Sequence, residues 1–199
     1  MNINRLKNDI YDAYNVEKQC MAAYKMRYIR NDPEIIEILF NACYQANNIR
    51  LQEESVRSLG VLKPEWALKS FIQSTKSYNN DETRRRGYYH LGTLGNPEAT
   101  KNLLDGLKDR NSSIRRAALK SIEKIGNTHQ ALETLQQLKS DFYYRFLKKE
   151  IEQAITSVQS RITVSKNFNC NRSFNLNTSK KRKFKNRNKN KKAYVPLAF

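Results

Sequence analysis

The sequence is poor in the two residues that punctuate a chain. Its 199 residues include six glycines and four prolines, too few for the many turns of a sandwich or barrel and too few for a Pro/Gly-rich linker. Cysteine is scarce as well. Cys20, Cys43 and Cys170 are odd in number and stand at no paired spacing, which reads as reduced thiols rather than a disulfide framework. His90 and His129 are the only histidines, so no zinc spacing exists and no metal site is expected. No apolar run approaches the roughly 18 residues that a membrane-spanning helix needs. The first residues carry Arg5, Lys7 and Asp9 with no apolar h-region, so no secretory signal is expected and a cytoplasmic protein is.

Acidic residues are missing from one end. Residues 162–199 hold eleven Lys/Arg and no Asp or Glu, so +11 of the formal +18 sits there and the other 161 residues carry +7. Eight asparagines and no amphipathic pattern complete that segment, and within 180–192 nine of thirteen residues are basic. Such a composition buries too little apolar surface to fold alone. The expected organisation is a folded domain over 1–161 and a basic, Asn/Lys-rich, disordered tail over 162–199. Phe168, Phe174, Phe184 and Tyr194 interrupt the tail's charge. Lys180, Lys181, Arg182, Lys183, Lys185 and Arg187 are the candidate polyanion-binding residues, for RNA phosphates, an acidic protein or an anionic membrane surface. A solubilising extension with no fixed partner and, in a eukaryote, a nuclear-localisation signal are the other readings of the same residues.

What the chain does have is a repeat. The segments Ser55–Leu62, Gly87–Leu94 and Ala118–Ile125 align, with a weaker copy at Ala22–Ile29, at steps of 33, 32 and 31 residues. One column is small: Ala22, Ser55, Gly87, Ala118. Two are apolar: Met26, Leu59, Leu91, Ile122 and Ile29, Leu62, Leu94, Ile125. Offsets of four and three residues place these on one helical face, and the small residue lets a neighbouring helix come close. Each copy is followed by a break and then a second apolar-periodic segment. Pro33, Pro64 and Pro97 suit a first helical turn. Gly95 and Gly126 suit a positive-φ helix end. Asn111 or Asp109, and Asn79, Asn80 or Asp81, suit N-caps. The unit is a helix pair that cannot bury its own apolar face, so stacking completes the core. Five pairs are expected, at roughly 4–30, 33–63, 64–95, 97–126 and 128–159, the end pairs being the most polar. The fold class is all-α, a right-handed α-solenoid.

The stretch Gly92-Thr93-Leu94-Gly95-Asn96-Pro97-Glu98-Ala99, with Leu104-Asp105-Gly106-Leu107-Lys108-Asp109, Ile114-Arg115-Arg116-Ala117-Ala118, Ile122 and Gly126, resembles the HEAT repeat. More narrowly it looks like the phycobilisome-lyase-type subclass of short helix pairs, over about residues 17–159. The Asp109 to Arg115 spacing matches that family's Asp–Arg ladder between turns, whereas the preceding repeat has Arg84 but Tyr78 six residues earlier. The resemblance implies several tasks. E/F-type members attach, transfer or isomerise open-chain bilins on phycobiliprotein cysteines, as lyases or lyase subunits. Relatives without that activity act in phycobilisome turnover, and others are non-enzymatic protein-binding scaffolds. It also implies a photosynthetic prokaryote or a plastid, and so the plastid stroma as a second location. The same fold hosts unrelated tasks, so function must come from the site.

The second helices of such a solenoid line its concave face. Opposite their buried stripes run the columns Tyr24, Arg57, Tyr89, Lys120, then Tyr28, Val61, Thr93, Lys124, and Met21, Glu54, Arg86, Ala117. Tyr24, Tyr28, Arg57, Arg86, Tyr89, His90 and Lys120 are the candidate groove residues. Tyrosine faces with cations suit a flat dianionic ligand such as a phycobilin, an acidic protein helix such as one on a phycobiliprotein subunit, or the phosphates and bases of a nucleic acid. A solvated helix face that happens to carry tyrosines fits the same residues. In the run Arg84-Arg85-Arg86, Arg84 is expected in the ladder and Arg86 in the groove. No nucleophile–base pair, Gly-rich phosphate loop or carboxylate dyad is visible, so any enzymatic chemistry would belong to a bound ligand. The functional expectation is a protein-binding scaffold, in one version a lyase-related chaperone of phycobiliproteins. The alternative is a nucleic-acid or ribosome-associated adaptor that uses the groove arginines and the tail.

Overall fold

Nine of the helices follow one another in a regular alternation of long helix and short turn. The structure is a computed structural model that describes residues 2–30 and 32–164. Among them there is no strand. The first pair is α1 (Ile3–Ile10) and α2 (Val16–Met26), the second α3 (Pro33–Gln45) and α4 (Ile49–Leu62). The third is α5 (Pro64–Ser74) and α6 (Asp81–Leu94). In the fourth a 3-10 turn at Pro97–Ala99 leads into α7 (Thr100–Gly106), and α8 (Ser112–Ile125) follows. The fifth starts with α9 (His129–Ser140) and a 3-10 turn at Phe142–Leu147. A last helix, α10, starts at 148 and runs through 159, where the first of two compact units, Met1–Gln159, ends. Residues 160–164, also helical, open the second unit. The tail candidates from Lys180 to Arg187 lie outside the described residues.

Asparagine sets where helices begin. Asn2, Asn15, Asn48, Asn80, Asn96 and Asn111 each stand at an N-cap and accept a first-turn backbone N–H through the side-chain oxygen. An unmet N–H at a helix start is satisfied this way, at a gain of about 1 kcal/mol over alanine. Of the candidate caps before α8, Asn111 does the capping, and the Asp109 carboxylate instead accepts the Asn111 N–H at 2.8 Å. Before α6 the cap is Asn80, while the Asn79 amide donates to the Gln73 carbonyl at 2.9 Å. Pro33 and Pro64 fall in first turns, as their missing N–H allows.

The small column and the first apolar column fall where the periodicity puts them, whereas in the second apolar column only Ile125 is buried and Ile29, Leu62 and Leu94 are half-buried at or past their helix ends. Met26, Leu59, Leu91 and Ile122 are fully buried, and so are Ala22, Ser55, Gly87 and Ala118. The second helices α2, α4, α6 and α8 pack in succession, and each also packs on the first helix of its own pair. Close approach is built in at glycine. A Cβ at Gly92 would stand 2.7 Å from Ser121 Cβ and 2.8 Å from its Cα, so α8 lies directly against α6 there. That contact lets the Ser121 hydroxyl donate to the Tyr88 carbonyl at 2.8 Å. Ser58 does the same one interface earlier, to the Ala23 carbonyl at 2.8 Å.

Two further expectations, for Gly126 and for the end pairs, change. Gly95 has φ +77 and ends α6 in the left-handed region, but Gly126 does not. Gly126 has φ −59 and ψ 127, and what calls for glycine is space: a Cβ would meet the Ile122 carbonyl oxygen at 2.8 Å and Val158 at 3.1 Å. Trp66 sits in the apolar pattern of α5 yet stays 41% exposed, with its ring edge on Phe40 at 5.3 Å. The end pairs are not simply polar. Tyr11 and Tyr14 are exposed in the first turn, and Phe142, Tyr143 and Phe146 in the last.

Because Gly92 faces a backbone atom rather than a flexible side chain, Gly92→Ala should force α6 and α8 apart. Overpacking of this kind costs about 1–3 kcal/mol. Urea unfolding followed by circular dichroism measures it, and an unchanged midpoint would show that the interface yields at no cost.

Candidate functional site

The exposed face of the second helices carries the candidate residues, and their own neighbours decide how available they are. The hydroxyls of Tyr24, on α2, and Tyr28, in the turn that follows it, stand 3.1 Å apart, with their rings edge to face at 5.9 Å. The Arg27 guanidinium lies 4.3 Å above the Tyr24 ring and pairs with Glu54 of α4. Met21, Tyr24, Tyr28 and Val61 remain open to solvent.

The cations are mostly engaged. Arg57 pairs with Glu53 at 3.0 Å and with Glu54 at 3.4 Å, one turn back on its own helix. Glu53 also accepts from the Tyr89 hydroxyl of α6. Burial alone would raise the Glu53 carboxyl, but the Tyr89 hydroxyl and the Arg57 charge outweigh it and hold it below its ordinary value. Burial and the same carboxylate push the Tyr89 phenol up to about 12, so it stays a neutral donor. Arg86 bonds Glu82 at 2.6 Å and the Tyr44 carbonyl, and Arg85 also takes Glu82. Those two arginines hold the Glu82 carboxyl down, at about 2. Lys124 stands 4.9 Å over the Tyr89 ring. Lys120 is exposed and has no carboxylate partner among the described residues. The structure thus brings Tyr24 with Tyr28, and Arg57 with Tyr89 through Glu53. It leaves Arg86 on the Tyr44 side of α6, and Lys120 alone.

His90 is not in the groove. It is 0% exposed, with Nε2 at 2.9 Å from the Cys43 carbonyl and ring neighbours Tyr44 at 5.1 Å and Phe71 at 5.2 Å. Its partner is an acceptor, so Nε2 carries the proton, and the buried Nδ1 has no hydrogen-bond partner. Burial disfavours the cation and lowers its pKa to about 4, against the Cys43 bond that favours it and with Arg86 helping. His90 takes the column held by Ser58 and Ser121 in the pairs on either side. That column faces the neighbouring pair, which is the signal the sequence offered against a groove position.

At the turns a second set of residues joins the pairs. Arg84, 4% exposed, makes a bidentate bond to Asp109 at 3.2 Å on each arm and pairs with Asp81 at 2.8 Å. The ladder is real, but its carboxylate holds Arg84 of the preceding pair, whereas Arg115 takes the Asp109 and Arg110 carbonyls at 2.9 and 3.0 Å. Arg115 also lies 4.8 Å from the Tyr143 ring centre. Gln52 was missed from the sequence. It stands three residues before Ser55, as Arg84 does before Gly87 and Arg115 before Ala118, and its amide donates to the Ala46 carbonyl at 2.6 Å. An amide can do an arginine's task here because the task is donating to a turn carbonyl.

No group of three metal-ligating side chains occurs among the described residues. No described helix is long and apolar enough to cross a membrane. A cavity of about 490 Å³ lies away from the groove, between the α1–α2 and α3–α4 turns, with Ile10, Tyr11, Ile38, Asn41 and Leu51 in its wall.

Residues 68–156 match the family of HEAT repeats. The structure is similar to the complex of CpcE and CpcF of phycocyanin lyase from Nostoc sp. PCC7120, at 17% identity and a TM-score of 0.52, covering 77% of this chain and 99% of that one. It is also similar to an engineered protein at 16% identity and a TM-score of 0.45, covering 79% of this chain and 80% of that one. No curated protein matches in sequence. The HEAT-repeat match over residues 68–156 and the likeness to the CpcE–CpcF complex show the fold, an all-α solenoid of HEAT-like helix pairs.

The His90 geometry fixes a pH dependence. Its folded pKa lies below the unfolded value of about 6.5, so the unfolded chain binds the extra proton, and stability is lost as pH falls from about 6.5 toward 4. By pH 5 the loss should be about 2 kcal/mol. Urea unfolding at pH 7 and pH 5 should show that much less change in His90→Leu than in the parent chain. Equal pH sensitivity would mean that His90 is protonated in the folded state.

Proposed function

We propose that this chain is a protein-binding scaffold and that its partner docks on the face formed by α2, α4, α6 and α8. One observation carries the reading. Met21 and Tyr24 of α2, Tyr28 just past its end and Val61 of α4 stay 52, 41, 62 and 59% exposed, while Arg27 and Arg57 beside them are already paired with Glu54 and Glu53. Exposed aromatic and aliphatic side chains in a row are what a protein partner covers. Farther along, Lys120 and Lys124 give the face a cationic end. An amphipathic helix with acidic residues toward one end matches that polarity.

The finer reading is a lyase-related chaperone whose partner is a phycobiliprotein subunit. It is supported by the likeness to the phycocyanin lyase complex, in which two subunits assemble. A phycobilin on the same face would lie near Tyr89 rather than Tyr24 and Tyr28, because Glu53, Glu54 and Glu82 already neutralise Arg57 and Arg86, and the cations left for its carboxylates are Lys120 and Lys124 of α8, with Lys124 over the Tyr89 ring. The same carboxylates oppose nucleic acid in this groove, since each phosphate would have to displace one of them.

The experiment is calorimetric titration of the full chain with isolated phycobiliprotein α and β subunits, with and without an open-chain bilin. One subunit should bind, and the pair Tyr24→Ala with Val61→Asp should weaken it by about tenfold or more at an unchanged melting temperature. If a subunit binds and the double variant binds it equally well, the inner face is not the docking site. If no subunit binds and bilin absorbance is unaltered, the phycobiliprotein reading fails.

A further inference from the structure

The turn before α10 presents two phenylalanine rings to solvent side by side. Phe142 is 75% exposed and Phe146 76%, and the Arg145 guanidinium between them lies 4.3 Å from one ring centre and 4.6 Å from the other. The turn is held firmly from beneath. Tyr144 is buried with its hydroxyl donating to the Leu107 carbonyl at 2.8 Å, Leu147 is buried, and Asp141 caps the Tyr143 N–H at 2.8 Å. So the two phenylalanine rings are presented by an anchored backbone, with a cation on one side of each and solvent on the other.

The charge around them is mainly positive. Residues 142–149 contain Arg145, Lys148 and Lys149 and no acid. Lys148 and Lys149 are exposed with no carboxylate partner among the described residues. Of the flanking acids, Asp141 is exposed and accepts the Tyr143 N–H, while Glu150 is paired with Arg116 at 3.7 Å and Glu152 with Lys139 at 3.1 Å. The neighbouring turn adds Arg110, whose side chain is 85% exposed and reaches Asp81 only at 4.0 Å. Arg115 fastens the two turns together, bonding the Arg110 carbonyl at 3.0 Å while lying on Tyr143.

We propose that the Phe142–Lys149 turn, with Arg110, binds single-stranded nucleic acid, bases stacking on Phe142 and Phe146 and phosphates meeting Arg110, Arg145, Lys148 and Lys149. Flat π-faces beside unpaired cations are the elements of a sequence-tolerant single-strand site. The formal charge of +18 draws a polyanion toward the chain. A membrane is the poorer occupant. The exposed side chains of the turn include no aliphatic one, and a guanidinium between the two rings would be carried toward the acyl chains with them. A duplex is poorer too, since its bases offer no free face.

Fluorescence anisotropy of a labelled oligouridine with the full chain tests the site, because the tail can add its own charge-driven binding. Phe142→Ala with Phe146→Ala should weaken binding by about tenfold or more with an unchanged salt slope. Lys148→Gln with Lys149→Gln should instead flatten that slope by about 1.4. The Phe effect should persist when Lys180, Lys181, Arg182 and Lys183 are changed to Gln, which separates the turn from the tail. Both phenylalanines are largely exposed, so the melting temperature should not move. The proposal is overturned if the Phe pair binds oligouridine like the parent chain. It is equally overturned if the Phe pair loses affinity for vesicles of phosphatidylcholine and phosphatidylserine but not for oligouridine, which would assign the turn to a membrane surface.

Discussion

No helix pair in this chain can bury its own apolar face. Each needs the next one within close helix-packing distance, and that single requirement organises the rest. It explains the small column at Ala22, Ser55, Gly87 and Ala118, and the glycine at Gly92, where a single added carbon would meet the Ser121 backbone at 2.8 Å. It also explains the hydroxyls that cross the same interfaces. Ser58 and Ser121 each use the short distance to bond a carbonyl of the preceding second helix. Such a bond is available only where no larger residue holds the helices apart. Packing and polar satisfaction are thus two consequences of one spacing.

The turns solve a different problem. Their carbonyls and N–H groups lie partly out of solvent, where an unmet polar group costs about 1–3 kcal/mol. Gln52, Arg84 and Arg115 meet this need from one position in three successive pairs, and Arg84 also binds the next turn through Asp109. The third departs further. Arg115 has aromatic faces where Arg84 has a carboxylate, because Tyr143 and Tyr144 occupy the following turn. A cation–π contact can stand in for an ion pair at a similar order of free energy. That substitution brings an aromatic-rich turn to the surface at the fifth pair.

Much of the architecture was legible because it is written in a step of 31 to 33 residues. The columns of Leu59, Leu91 and Ile122 fall in the core because a helical period leaves them no other place. What was not legible depended on what lies across an interface. Gly126 looks like Gly95 in sequence, and only the closeness of Ile122 and Val158 shows that room rather than a left-handed turn is needed. His90 looks like a groove residue until its column is compared with Ser58 and Ser121. The groove arginines look available because a column was read without the carboxylates three and four residues away, Glu53, Glu54 and Glu82, that neutralise them. Those partners were visible in the sequence as i,i+3 and i,i+4 neighbours.

The net charge of the folded part is accordingly a poor guide to where an anion would meet it. A positive sum can consist of arginines that are each already paired, and the inner face comes near to this. Potential at a surface depends on which charges lack a close counter-charge and stand in water or beside a low-dielectric wall. By that measure Lys120 and Lys124 on the inner face, and Arg110, Arg145, Lys148 and Lys149 at the turns, are among the cations with no close counter-charge that stand beside aromatic rings. The two regions differ in what accompanies the charge. The first lies beside Tyr89, and the same face continues to a valine, a methionine and two edge-to-face tyrosines farther along, a mixed surface that a protein side chain can interlock with. The second adjoins two separately exposed rings, which offer flat faces and no pocket. Similar charge with different apolar company therefore selects different partners, and the company rather than the charge separates the two surfaces.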